Sequence, residues 1–162
     1  MNHIDYFKLQ AENLHKDYKT KKWNSEEGFY DYSPKFFDID QIFLDFNWDD
    51  HSFTLMNAQH LIARILGFSK WKELKKASEE QLDFLHLLFD NQDKATLDEW
   101  KMYLSQVEIE DIETDFALQK EIFQQVFINE KIRSDFLPYR LDCQQKHYDM
   151  DPKGNWFVSS RF

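Results

Sequence analysis

The chain has 162 residues, 42% of them hydrophobic and 17% aromatic, and a net charge of −10. That length corresponds to about one domain and lets roughly 68–70% of the unfolded surface be buried, and so aromatic-rich a chain is not intrinsically disordered. The single cysteine, Cys143, excludes an internal disulfide framework and a cysteine-based zinc site.

No apolar run approaches the ~18–20 residues that cross a bilayer, and none follows Met1, so neither a membrane span nor a signal peptide is expected and the expected location is cytoplasmic. With only three Gly and three Pro, and with few Val and Thr, the chain lacks the turns and β-branched residues of a sandwich or barrel. It also has no glycine-rich phosphate loop. The expectation is an all-α fold: a compact helical domain of about six helices over residues 1–133, and an irregular tail, 134–162, packed on the same domain.

Ile4, Phe7, Ala11, Leu14 and Tyr18 recur at helical spacing and define the first helix, with Lys16, Lys19, Lys21 and Lys22 crowding its C-terminal end, where cations complement the helix dipole. Residues 23–28 read as a loop. A small β ribbon is expected near 29–37, with Pro34 in its turn. Asp38, with Gln41 three residues on, opens a helix lined by Ile39, Ile42, Phe43 and Phe46. Leu55, Ala58, Leu61, Ile62, Ile65 and Leu66 form the broadest apolar face, and Gly67 stands where a helix ends in a residue of positive φ. Ser69 is the expected cap of a short helix carrying Trp71 and Leu74. Ser78 with Gln81, and Thr96 with Glu99, mark two more helix starts. The first of these helices holds Leu82, Leu85, Leu88 and Phe89, the second Leu97, Trp100, Leu104 and Val107. A last long helix is expected near 114–132, with Phe116, Phe123, Val126 and Phe127. Beyond Ser134 the periodicity fails.

Charge falls in blocks. Residues 25–53 carry −7 and 78–116 carry −10, on either side of a +4 segment at 54–77. So acidic a chain repels nucleic acid overall and suits a basic protein partner, or serves solubility. The aromatics of the tail, Tyr148, Trp156, Phe157 and Phe162, are the candidate protein-binding residues, since interface hot spots favour such side chains.

Within the basic segment, Ala63 and Gly67 meet two demands of a DNA-binding helix-turn-helix, and Lys70, Lys72, Lys75 and Lys76 offer phosphate contacts. Glu73 then stands where that motif needs a buried aliphatic residue. The alternative is an αα corner built on Gly67, Phe68, Trp71 and Leu74. Ala58 to Leu74 also resembles a short helical module, A-x-x-x-x-A-x-x-x-G-F-x-x-W-x-x-L, found in bacterial glyoxalase-related proteins and in small uncharacterised ones. Leu9-Gln10-Ala11-Glu12-Asn13-Leu14 resembles a helix upstream of it there. The resemblance covers about a fifth of the chain. It implies a bacterial, intracellular origin and a compact αα unit; it brings no catalytic residue and no strand-rich glyoxalase domain.

Glu12-x-x-His15 and Asp83-x-x-His86 each place a carboxylate and an imidazole one helical turn apart, as di-iron bundles do, but beside the apolar stripes rather than within them. The acidic run Asp38, Asp40, Asp45, Asp49 and Asp50 lacks the spacing of a calcium loop and reads as a solvated face. Asp142, Cys143 and His147 pair a thiol with a base in the least regular part of the chain, and the expectation is a free thiol. The leading expectation is therefore a non-enzymatic protein without metal or cofactor that binds a basic protein, as an immunity protein, antitoxin or phage-related inhibitor does. A DNA-binding regulator using residues 58–77 and an enzyme of unknown type are the alternatives.

Overall fold

The computed structural model describes residues 1–130, 132–150 and 156–158, with 146–150 and 156–158 described as backbone alone. The described residues are helix-rich: eight α-helices and two two-stranded antiparallel ribbons. They divide into two compact units, one of residues 1–76 with 139–141, the other of 77–138 with the described part of 142–158.

In the first unit, α1 (His3–Tyr18) starts at Asn2, whose side chain accepts the Asp5 N–H. Its stripe buries Phe7, Ala11, Leu14 and Tyr18 as the spacing predicts. β1 (Lys22–Asn24) pairs with β2 (Phe29–Asp31) in the register Lys22↔Asp31, Trp23↔Tyr30, Asn24↔Phe29. The ribbon expected at 29–37 is thus displaced toward the N-terminus. Its turn is Ser25–Gly28, where Gly28 takes φ +75° and Asn24 Oδ1 accepts the N–H groups of Glu26 and Glu27. Pro34 lies outside it. Residues 35–37 are held instead by Asp17, whose carboxylate accepts the N–H of Lys35 (2.8 Å), Phe36 (3.0 Å) and Phe37 (2.8 Å). With those donors turned toward a carboxylate, the segment cannot form a second strand of the ribbon. Phe37 makes only an isolated bridge, to Arg140.

α2 (Ile39–Asp45) and α3 (Leu55–Ile65) end in the same way. After α2, Asn47 at φ +52° is followed by Trp48, whose N–H reaches Phe43 O at 2.8 Å. After α3, Gly67 at φ +93° is followed by Phe68, whose N–H reaches Ala63 O at 2.9 Å, while Gly67 N–H reaches Arg64 O at 3.0 Å. This is the Schellman pattern, which satisfies carbonyls that a helix end leaves open. At the start of α2, Asp38 accepts the Gln41 N–H, but the Gln41 amide turns to Asp45 rather than back to the cap. Thr54 and Asn57 form a full capping box at the start of α3. α4 (Trp71–Lys75) follows, and α1 packs on α2 and α3, and α3 on α4.

In the second unit, α5 (Glu79–Asp90), α6 (Leu97–Leu104) and α7 (Phe116–Ile122) surround Trp100. The Thr96–Glu99 capping box forms as its spacing predicts. The long helix expected over 114–132 is α-helical only to Ile122. It then widens into a π-helical turn, Phe123–Ile128, with Asn129 N–H bonded to Gln124 O and Ile132 N–H to Phe127 O, five residues back. The extra residue per turn leaves the Phe123 and Phe127 rings stacked on each other, with centroids 5.4 and 5.5 Å from the Trp100 ring.

The described part of the tail is not irregular throughout. It contains α8 (Leu141–His147), then β3 (Tyr148–Met150) paired antiparallel with β4 (Trp156–Val158). Aromatic and β-branched residues favour strands, and Tyr148, Trp156, Phe157 and Val158 supply them here. The described residues hold eight α-helices against the expected six or so; α8 is the one without a counterpart among the periodic segments, and at seven residues it is too short to show a clear helical period.

Candidate interaction surfaces

The corner residues sit as their spacing suggests. Trp71 and Leu74 are buried, and Phe68 is half-buried after Gly67. Trp71 N–H donates to His60 Nδ1 at 3.2 Å, which ties α4 to α3. The cap of α4 is Lys70 rather than Ser69. The Ser69 N–H and hydroxyl donate instead to Glu73 (3.2 and 2.8 Å), and the hydroxyl bond chiefly holds the Glu73 carboxyl below its ordinary range. Glu73 is exposed, so it does not occupy the buried position that a helix-turn-helix needs there. Lys70, Lys72, Lys75 and Lys76 are all exposed, on a helix of five residues.

The other sequence candidates scatter. His15 lies against Tyr18 and Phe53, and burial followed by the Lys19 charge lowers its pKa, while Glu12 is exposed. Asp83 accepts Lys120 Nζ at 2.6 Å, and His86 Nε2 lies 3.3 Å from Asp90. The two carboxylate–histidine pairs belong to different units. Cys143 is fully buried and its thiol donates to Asp90 O at 3.5 Å, which suits an inert thiol. The side chains of His147, Tyr148, Trp156 and Phe157, and Phe162 altogether, lie outside the described residues.

The first unit brings together what the sequence leaves separate. Asp31, Asp38 and Asp50 lie near Asp40, and burial, then these charges, push the Asp40 carboxyl above its ordinary range. Tyr32 enters the same group: its hydroxyl is sealed from solvent, and burial, then the Asp50 charge, hold its proton above the ordinary tyrosine range. In the same unit the ribbon exposes Trp23 (57%) and Phe29 (48%), on its opposite faces, and α2 exposes Leu44 (74%). Trp23 meets Tyr30 edge to face at 5.1 Å, and Tyr30 meets His51 at 5.8 Å. Asp49, Asp50 and His51 each bring one possible ligand atom within 4.8 Å of the others. A lysine already occupies this region: Lys21 Nζ donates to Tyr18 Oη (2.6 Å) and to the carbonyls of Asp50 and His51 (both 3.4 Å).

Two of these features escape a reading of periodicity alone. Asp17 is a polar residue on the buried stripe between Leu14 and Tyr18, and a carboxylate there needs donors from elsewhere in the fold. Tyr18 and Lys21, three apart, read as the end of a helix; their partners come from residues 30 and 50–51.

No protein-family model, curated protein or solved structure matches the chain.

Proposed function

We propose that the chain is a non-enzymatic binding protein whose partner is a basic protein, engaged through the acidic, aromatic face of the first unit. The observation that carries this reading is that Asp31, Asp38 and Asp50 lie near Asp40, with the exposed Trp23 and Phe29 on the same ribbon as Asp31. Clustered carboxylates steer a cationic partner and raise its on-rate, while desolvated aromatic rings supply the lasting contacts. An immunity, antitoxin or phage-inhibitory role has this chemistry. The test is capture from the native host at physiological salt, followed by measured affinity for each protein recovered. A single partner of high pI, bound at least ten-fold more weakly after Asp31→Lys plus Asp38→Lys and unaffected by Lys70→Glu plus Lys72→Glu, supports the reading. An unchanged affinity after the aspartate reversals overturns it.

The exposed lysines of α4 favour the second reading, a nucleic-acid-binding corner. A five-residue helix is only about 7.5 Å long at 1.5 Å per residue, short for reading base edges. A nanomolar gel shift abolished by Lys70→Glu plus Lys72→Glu would put that reading first.

A further inference from the structure

Lys21 is a lysine held in a cage. Its ammonium lies 4.5 Å from the centroid of the Tyr18 ring and 4.6 Å from that of Tyr30, and it donates to one phenol oxygen and two backbone carbonyls. Two aromatic rings within ~6 Å of a cation, one of them met at its phenol oxygen, with backbone carbonyls completing the shell, suit recognition of an ammonium group. From these contacts we infer that the cage formed by Tyr18, Tyr30 and the carbonyls of Asp50 and His51 is a lysine-ammonium site for the basic partner, filled by Lys21 in the free chain. The inference rests on the basic-partner reading above and names the chemistry that its surface selects.

Three features make this more than a local tether. The cage lies at the acidic face, with Asp50 among the charges acting on both Lys21 and Asp40. Its rim is formed by groups that reach solvent: Trp23 on Tyr30, and the exposed His51. Its occupant is a flexible side chain from the exposed turn after α1, only half-buried itself. The bond to Tyr18 chiefly raises the Lys21 pKa, so the resident group is fully charged at neutral pH.

One site holds one ammonium, so Lys21 competes with the incoming cation. The partner sees the site only in the fraction of molecules whose Lys21 has left, and its apparent affinity falls by that fraction. Lys21 thereby makes weak, isolated cations poor ligands and reserves the cage for a partner that also engages the surrounding acids.

The experiment titrates methylammonium chloride and a ten-residue polylysine peptide into wild type, Lys21→Ala, Lys21→Met and Lys21→Arg. The Tyr18 and Tyr30 ring protons are followed by NMR, with melting curves recorded for each variant. Lys21→Met retains most of the aliphatic stem should Lys21→Ala fail to fold. The expected result is a saturable shift of both rings with methylammonium in the emptied variant, at least ten-fold weaker in wild type and Lys21→Arg, and a matching gain in polylysine affinity. A folded Lys21→Met protein whose rings give no saturable shift overturns the inference. If polylysine binds wild type and Lys21→Met equally and is released by Asp31→Lys plus Asp38→Lys, the cage falls while the acidic face stands. If methylammonium fills the emptied cage but polylysine binds no variant, the ammonium site stands and the basic-partner reading falls.

Discussion

The two units each gather aromatic rings, but to different ends. Around Tyr18 the rings of Tyr32, Phe43 and Phe53 lie within 5.2–6.2 Å, and the Tyr18 hydroxyl meets Lys21 and the Asp50 carbonyl. Around Trp100 the rings of Phe84, Phe123 and Phe127 lie at 5.4–5.5 Å and are buried, and the one polar atom, the indole N–H, finds its acceptor inside. Gln119 Oε1 takes that N–H at 3.1 Å, and Gln119 Nε2 donates onward to Ile112 O at 2.7 Å. The second cluster is closed around its indole, whose N–H is satisfied by the unit itself. The first is more open: the Tyr18 hydroxyl is bonded to the half-buried Lys21, which also donates to the carbonyl of the exposed His51. Ring content alone does not distinguish a core from a recognition surface; the placement of polar tips does.

The largest effect that sharpens this contrast is expected from Trp100→Ala, which should cost about 3–5 kcal/mol, because a large buried ring leaves a cavity that its neighbours cannot fill. Trp71→Ala should cost a similar amount in the first unit. Chemical denaturation reads both, and unchanged midpoints would mean that neither ring is core.

Next comes the carboxylate that shapes the first unit. Asp17→Ala should cost roughly 1–3 kcal/mol for each N–H of residues 35–37 that water cannot reach, and hydrogen exchange at Phe37 should accelerate. Gly67→Val should cost more than ~1 kcal/mol, since a β-branched residue at φ +93° is strained.

The third pair tests closed against open directly. Gln119→Leu strands a buried indole N–H and should cost about 1–3 kcal/mol. Tyr18→Phe removes a hydroxyl whose partners are at the rim, where water can replace it, and should cost less than ~1 kcal/mol. Equal losses in thermal melts would erase the distinction.

The smallest effect is electrostatic. A carboxyl whose folded pKa is raised binds its proton more tightly in the folded state, so its share of stability is present in acid and is lost as pH rises through the folded value. Asp40→Asn should therefore raise the melting temperature slightly at neutral pH, and the gain should vanish as pH falls to the ordinary aspartate value of 3.8. A gain that persists in acid would show that the Asp40 charge is not its cause.

Helical spacing placed the stripes of α1, α3 and α5, because burial of one face imposes a 3.6-residue period that any reader of the chain can count. Gly67 and the Thr96–Glu99 box were legible for a similar reason: a positive φ and a capped first turn are demands that only a few residue types meet. Tertiary structure decided the rest. Asp17 turned residues 35–37 from a strand into a tethered loop, and the packing of Phe123 and Phe127 on Trp100 accompanies a π turn where the sequence continues as an ordinary helix. The cage is the clearest case. Tyr18, Lys21, Tyr30 and residues 50–51 have no common period, and only the fold brings an ammonium, two rings and two carbonyls to one point. Local rules follow from the backbone of each segment, whereas a site assembled from three segments is fixed by long-range packing that no single segment encodes.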